Sequence, residues 1–428
     1  MPSLARAVAA TVTEVIPLHE ARDYVLDRCR VLPGVETSFL DTPGRVLARD
    51  VVATEDVPPF ANTALDGVAV RSADVTSSPV ELRVVGTIAA GDDPALRCEP
   101  GTAVRIMTGA VIPDGADAVV MLEDTESPSP QRVVVRRAVA SGTSVRPVGD
   151  DVRTGDLVFA AGTVVGPAGA GVLASINART VLAHPPARVA LLSTGDELVV
   201  DGSPLRRGQI RESNLTSLHN VLLRDGCDVL NLGIVADDEA ELERVLRDAA
   251  SRCDAIVTSG GVSVGDFDVV KAVLSRIATM RWMQLAIKPA KPFAFGELES
   301  PESGSAAGDR AVRIVPVFGL PGNPVSSLIS YELLARPALR KMMGHRNDIV
   351  RPVVRAVADT PLRRKADGKV HYMRVFAEHR DDGRLHVRDA GPQGSHQLAA
   401  TALANALAVV HDGTGIAAGD DVEVIWPF

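Results

Sequence analysis

Apolar residues recur near helical spacing over residues 14–45, which predicts a helical opening. The paired prolines of VATEDVPPF, residues 52–60, end regular structure. Between 68 and 148 the pattern shortens to strand-like runs separated by Gly and Pro: VAVRS, ELRVVGTI, AVRIM, ADAVVML and RVVVRRAV. These predict a β-rich module. Residues 155–182 form a second Gly-rich apolar stretch, with a turn expected around Gly162 and a helix after Pro167. His184-Pro185-Pro186 reads as a linker.

After the linker the texture changes. RVALLS (188–193), CDVLNLG (227–233), CDAIVTS (253–259) and VRIVPVFGL (312–320) read as buried strands. They alternate with helical patterns, which argues for a parallel α/β sheet. SNLTSLHNVLLRDG is a helix with Ser213 as N-cap candidate and Gly226 as stop. DDEAELERVLRDAASR opens with acidic residues, which suits the helix dipole. DFDVVKAVLSRI is a further helix. NPVSSLISYELLARPALRKMM places Asn323 at the N-cap and Pro324 at the first helical position. Residues 297–311, ELESPESGSAAGDRA, predict a mobile loop inserted before the last strand. From about 348 short strands return, which predicts a small β-barrel or sandwich.

Composition narrows the class. At 428 residues the chain is too long for a single core. Its 46% hydrophobic and 23% charged residues fit a globular protein, and 3% aromatics leave the cores to Val, Leu, Ile and Ala. A net charge of −9 argues against broad nucleic-acid binding while allowing a local cationic pocket. None of the four cysteines forms a C-x-x-C pair, so reduced cytoplasmic thiols are expected rather than disulfides or zinc. The N-terminal stretch has no long apolar core and carries Glu14, so no signal peptide is expected. No run reaches the apolar length of a membrane span.

In an open parallel sheet, ligands sit beyond the carboxyl ends of the strands. Three loops follow strands in that way: STGDEL (193–198), TSGGVSVGDFD (258–268) and LPGNPVSS (320–327). Gly260 and Gly261 free backbone amides to face an anion, and Ser263 adds a hydroxyl. Asp266 and Asp268 would repel phosphate unless a cation intervened, which points to Mg²⁺, with Glu197 as a further oxygen ligand. The same residues also fit a tight turn with an aspartate capping a helix. AIKPAKPF (286–293) sets Lys288 and Lys291 around a proline, either to reach one anion or as a solvated basic turn. Asp66-Gly67, Thr108-Gly109 and the acids of GDDV (149–152) are each compatible with plain turns. Lone histidines in HYMR and GSHQL support no catalytic triad.

Taken together, NTALDGVAV, GTAVRIMTGAVIPDGADAVV, LLSTGDEL, TSGGVSVGDFD, IKPAKPFAFG and GLPGNPVSSLISYELL occur in order and strongly resemble the MoeA family, the molybdopterin molybdenumtransferases. The resemblance runs from about residue 14 to the C-terminus. It implies a multidomain α/β plus β fold with a central three-layer α/β domain and a mainly parallel sheet, residues 184–345. A discontinuous helical linker domain (14–51 and 150–183) would carry an inserted β-rich domain (52–149), and a C-terminal β-barrel would span 346–428. The implied reaction inserts molybdenum from molybdate into adenylylated molybdopterin, with Mg²⁺-dependent release of AMP. The implied assembly is an elongated cytoplasmic homodimer whose site is completed by the partner. Docking to molybdopterin adenylyltransferase and to molybdoenzyme maturation proteins fits that role; nucleic acid and membrane do not.

Residue by residue, Asp66, Thr108 and Asp151 match functional positions of the N-terminal motifs, and Glu197, Asp237 and Asp268 match acidic catalytic positions. Glu197, Asp266 and Asp268 would hold the metal. Gly260, Gly261, Ser263, Lys288, Lys291, Pro321, Asn323, Pro324 and Ser326 would bind substrate. Arg374 and Ser395 match C-terminal positions implicated in molybdate binding. Val68 departs from a common Tyr, and Gln284 from a Lys found in some relatives. The alternatives are a molybdopterin adenylyltransferase, which lacks the flanking modules, and a non-catalytic cofactor-binding or scaffold relative such as gephyrin, whose extra domain and long linker this sequence does not show.

Overall fold

The computed structural model describes residues 15–92, 95–261, 269–301 and 312–427. Ser263, Asp266 and Asp268 lie outside the described residues. The chain divides into two compact units, one of residues 1–33 with 184–428 and one of residues 34–183.

The larger unit is built on a seven-stranded sheet, in the order Val15–Ile16, Ala278–Leu285, Pro292–Pro301, Val312–Leu320, Ala255–Ser259, Arg188–Thr194 and Asp228–Val235. The last four strands in that order run parallel, while Pro292–Pro301 is antiparallel to both its neighbours. Alternate residues of one strand feed opposite cores. Val189, Leu191, Val257 and Phe318 pack with Leu215, Leu218 and Leu222 of helix Asn214–Arg224 and with Val325 and Ile329 of helix Pro324–Ser330. Ala190, Leu192, Ile256 and Val317 pack with Leu242 and Leu246 of helix Glu239–Arg252 and with Val270 and Leu274 of helix Val269–Ile277. That two-sided burial explains the unbroken apolar runs of the strands and gives three layers.

Helix starts differ in how they are satisfied. Asp238 caps Glu239–Arg252 by accepting the Glu241 amide at 2.7 Å, as its acidic start predicts. Ser213 occupies the N-cap of Asn214–Arg224 without a capping bond; Glu212 takes the Leu215 amide instead, at 2.9 and 3.0 Å. Asn323 likewise makes no capping bond before Pro324.

Three expectations need correction. The helix predicted over 14–45 is confined to Leu18–Arg28, because Pro33-Gly34 breaks the pattern and Val35–Ser38 becomes a strand. Val15–Ile16 joins the edge of the α/β sheet, and Ala21 and Val25 pack into that core, so residues 15–33 do not group with 150–183. The loop expected at 297–311 is a strand as far as Pro301, held by the ladder to Val312–Leu320; residues 302–311 lie outside the described residues.

The C-terminal region closes five strands into a barrel. Val370–His379 pairs with Leu385–Asp389, which leads through Val354–Ala358, Asp421–Ile425 and Ala406–Val410 back to Val370–His379. Closure leaves no free edge, and Ala356, Val375, Val387, Ala408 and Val424 fill the interior. On the outside, His386 is clamped by Asp359 at 2.8 Å and Asp382 at 2.9 Å, and these bonds raise its pKa above the ordinary 6.5. A raised histidine pKa means the clamp contributes fully below the unfolded value and fades as pH rises through the folded one. We therefore expect the urea midpoint to fall with pH above about 6.5, and His386→Asn to remove that part of the slope. An unchanged slope in the variant would contradict the clamp.

The unit of residues 34–183 holds a six-stranded sheet in the order Ala118–Met121, Gly67–Val70, Thr102–Ile106, Val80–Ile88, Arg132–Val135 and Thr125–Ser129. Val68 and Val120 face one core, Ala69 and Val119 the other. A separate core gathers Leu47, Val51, Leu173 and Ile176 around helix Pro167–Ser175.

Candidate functional site

A cavity of about 440 Å³ opens at the carboxyl ends of Arg188–Thr194, Ala255–Ser259 and Val312–Leu320. Each strand end contributes a loop that its sequence suits to close backbone approach. Gly260 (φ +95°) and Gly261 (φ +75°) lie in the left-handed region. The Gly260 amide donates to Leu320 O at 3.0 Å, and a Cβ on Gly261 would fall 2.3 Å from the side chain of Val270. Gly195, at φ +136°, leaves room for the Glu197 carboxylate, which a Cβ would meet at 2.5 Å. From the third strand, Pro321, Gly322 and Asn323 form the opposite wall. Thus Glu197, Gly260, Gly261, Pro321 and Asn323 share one cavity, together with Ser193, Thr194, Asn214 and Ser259. Pro324 and the buried Ser326 begin the helix behind the turn.

The basic loop is compact. Leu285 donates to Lys291 O at 2.7 Å, Ala290 has φ +75°, and the Lys288–Pro289 peptide is cis. Lys288 and Lys291 are exposed and form no ion pair with any described residue, while the adjoining Pro292 lines the cavity. Lys288 pairs in register with His371 of the barrel.

From the barrel, Arg374 is fully buried at 0% exposure. Its Nη2 donates to Pro392 O at 2.6 Å and Gly394 O at 3.2 Å, whereas Nε and Nη1 have no partner among the described residues. Burial pulls its pKa below the usual guanidinium value, against the pull of Asp389. The neighbouring Ser395 accepts a bond from Asn323 Nδ2 at 3.1 Å and takes the Val325 amide on its carbonyl at 3.1 Å. The barrel segment carrying Arg374's contacts is therefore stitched to the turn that walls the cavity. Arg374 itself does not line the cavity; it lies behind the 392–394 segment with two buried donors open among the described residues, and a buried polar group without a partner is costly.

Not every predicted residue gathers there. Asp237 is exposed in the loop after Asp228–Val235 and does not line the cavity. Asp66, Thr108 and Asp151 belong to the other unit. Asp66 accepts from the Thr108 amide at 2.7 Å and its hydroxyl at 2.8 Å, bonds that hold its carboxyl below the usual range. Asp151 is exposed, and its amide donates to Val57 O at 2.9 Å. Among the described residues no group of three or more His, Cys, Asp or Glu is arranged so that it could hold a metal ion. Sequence reasoning missed Asn214 and Ser193; the one signal was their position at the carboxyl edge, in a helix start and a strand end.

The fold and this cavity define a site at the carboxyl ends of the strands of a three-layer α/β domain. Comparisons with known proteins identify the family that carries such a domain. The chain matches the "MoeA N-terminal region (domain I and II)" over residues 16–177, a "Probable molybdopterin binding domain" over 190–341 and the "MoeA C-terminal region (domain IV)" over 355–426. It is 35% identical to a molybdopterin molybdenumtransferase of Haemophilus influenzae, covering 97% of this chain and 99% of that one. It is 34% identical to molybdopterin molybdenumtransferase 2 of Mycobacterium tuberculosis, covering 95% and 98%. The crystal structure of the molybdopterin biosynthesis moeA protein from Pyrococcus horikoshii superposes with a TM-score of 0.76 at 26% identity, covering 96% and 100%. The chain belongs to the MoeA family of molybdopterin molybdenumtransferases.

Proposed function

We propose that this protein is a molybdopterin molybdenumtransferase that transfers molybdenum from molybdate to adenylylated molybdopterin and releases AMP. The observation that carries the reading is the junction of two anion-ready features: the glycine-lined cavity and the unpaired guanidinium of Arg374, joined through Ser395 and Asn323. One suits a phosphate bridge and the other a small oxyanion. The Gly261 amide would face the bridge, while the Gly260 amide is held by Leu320 O and shapes the loop, and Lys288 and Lys291 would balance the charge. Ser395 and Arg374 hold molybdate beside it. Water adds to one phosphorus as the P–O–P bond breaks and AMP leaves, and the two dithiolene thiols replace one oxygen of molybdate, which departs as water. The work of the protein is positioning and charge stabilisation rather than nucleophilic attack by a side chain.

The donor set fits Mg²⁺. Glu197 is the one carboxylate lining the cavity among the described residues, beside the hydroxyls of Ser193 and Thr194. A few hard oxygens suit a cation that takes its other ligands from phosphate and water. Glu197 would hold it, with Asp266 and Asp268 as the resemblance assigns them. When bound, the cation neutralises charge on the phosphate bridge. Removing divalent cations with EDTA is expected to stop AMP release, and Mg²⁺ to restore it. Glu197→Gln should raise the Mg²⁺ concentration for half-maximal rate by about tenfold or more. An unchanged Mg²⁺ requirement would remove Glu197 from the metal site.

A homodimer in the cytoplasm, with Asp66, Thr108 and Asp151 acting in catalysis, follows from the same family likeness. Among the described residues no helix is long and apolar enough to cross a membrane. Docking to molybdopterin adenylyltransferase and to molybdoenzyme maturation proteins would give the substrate and product a protected path.

A further inference from the structure

Two walls of the cavity come from loops that nearly touch. The Cβ position of Gly322 lies 3.8 Å from the Cα of Gly260, and the Gly260 amide donates to Leu320 O at 3.0 Å. One side chain bridges the same two loops. Asn214 Nδ2 donates to Ser259 Oγ at 2.8 Å and to Gly322 O at 2.7 Å. Asn214 is itself 9% exposed and lines the cavity. Its own place is fixed from behind. Glu212 holds the first turn of its helix through the Leu215 amide, and Ser193 Oγ lies 3.3 Å from both Glu212 Oε1 and Ser259 O. A buried amide spending both donors on two different loops sets a distance between them, because shifting either loop leaves a polar group unpaired.

We infer that Asn214 is a positioning residue: it sets the gap between the Gly260-Gly261 loop and the Pro321–Pro324 turn, and so the fit of the pyrophosphate group. The inference rests on the proposed function for the identity of the substrate, and not for the geometry. Asn214→Asp keeps size and shape but replaces the donor with an oxygen. Ser259 can turn its hydroxyl to donate to it, whereas the Gly322 carbonyl is repelled, so the gap opens on the turn side.

The test compares wild type with Asn214→Asp in the full-length protein, using binding of inorganic pyrophosphate by calorimetry and the KM and kcat for adenylylated molybdopterin. We expect pyrophosphate affinity to weaken and KM to rise by about tenfold or more, with kcat within about threefold, because the gap acts on ground-state binding. A general loss of folding would instead lower kcat and the melting temperature together. Ser259→Ala cuts one of the two bonds and serves if Asn214→Asp fails to fold; it should weaken pyrophosphate binding by a smaller factor, about threefold to tenfold. Affinity and KM unchanged in a folded variant would overturn the inference. Wild-type protein that releases no AMP would defeat the proposed function alone, since the pyrophosphate arm still reads the gap.

Discussion

Replacing Arg374 with methionine is expected to cut molybdate-dependent AMP release by about 10²- to 10⁴-fold while leaving the fold as stable as before. The side chain is fully buried, and two of its three nitrogens have no partner among the described residues. Hydrogen bonds to a charged group are each worth about 1.5–3 kcal/mol, so two donors that bonded molybdate as proposed would account for the range. If the residue were structural, its loss would destabilise the barrel. The energetics argue otherwise. Methionine removes the cost of burying a charge, against the loss of bonds to the Pro392 and Gly394 carbonyls, each worth about 1 kcal/mol. Lysine should not rescue, because it lacks the planar fork and brings one point charge. The check is initial rate against molybdate concentration, with thermal melts of each variant. A melt lowered by many degrees with unchanged molybdate dependence would contradict an anion-binding role.

The largest effect on stability is expected at Asp225, well away from the cavity lining. Its carboxylate is 6% exposed and accepts from Tyr331 Oη at 2.8 Å. Arg224, Arg351 and Arg336 approach it at 3.4, 3.3 and 3.4 Å, and Glu332 shares the same arginines. Arg336 Nε lies close to Asp225 without hydrogen-bond geometry, so the contact is coulombic. The cluster ties the end of helix Asn214–Arg224 to the Tyr331–Ala335 π-turn and to the segment that leads into the barrel. Asp225→Ala would take from Arg336, itself 5% exposed at the side chain, one of its two carboxylate neighbours, leaving Glu332 at 3.7 Å, and would leave the Tyr331 hydroxyl without its carboxylate partner. Breaking a buried pair from one side costs about 3–5 kcal/mol. Urea titration should show that loss, with AMP release per folded molecule retained. Asp225→Asn should recover part of it, since the Tyr331 bond survives. A midpoint unchanged in Asp225→Ala would mean that the cluster is already satisfied by water.

Much of this was legible along the chain because burial on two faces leaves unbroken apolar strands, as in Arg188–Thr194 and Ala255–Ser259, and because glycine and proline mark the loops between. The site loops followed from the rule that ligands sit at strand carboxyl ends. What was not legible depended on distant partners. Asn214 looks like an ordinary polar helix start; only the meeting of Ser259 and Gly322 makes it a bridge. Arg374 alternates with apolar neighbours in a strand, a pattern that places a charged residue outside a barrel, yet the 392–394 segment covers it. Val15–Ile16 is too short to announce a sheet edge, and its pairing with Gln284 and Leu285 spans most of the chain. Asp237, singled out by the resemblance, does not line the described cavity.

The central claim is tested most directly by incubating the purified protein with adenylylated molybdopterin, with and without molybdate and Mg²⁺, and measuring AMP and molybdenum-bearing pterin in one turnover. The account predicts that both products form together, in equal amounts, only when molybdate and Mg²⁺ are both present. Absence of AMP release, with ATP consumed when free molybdopterin is supplied instead, would contradict it and make the protein an adenylyltransferase.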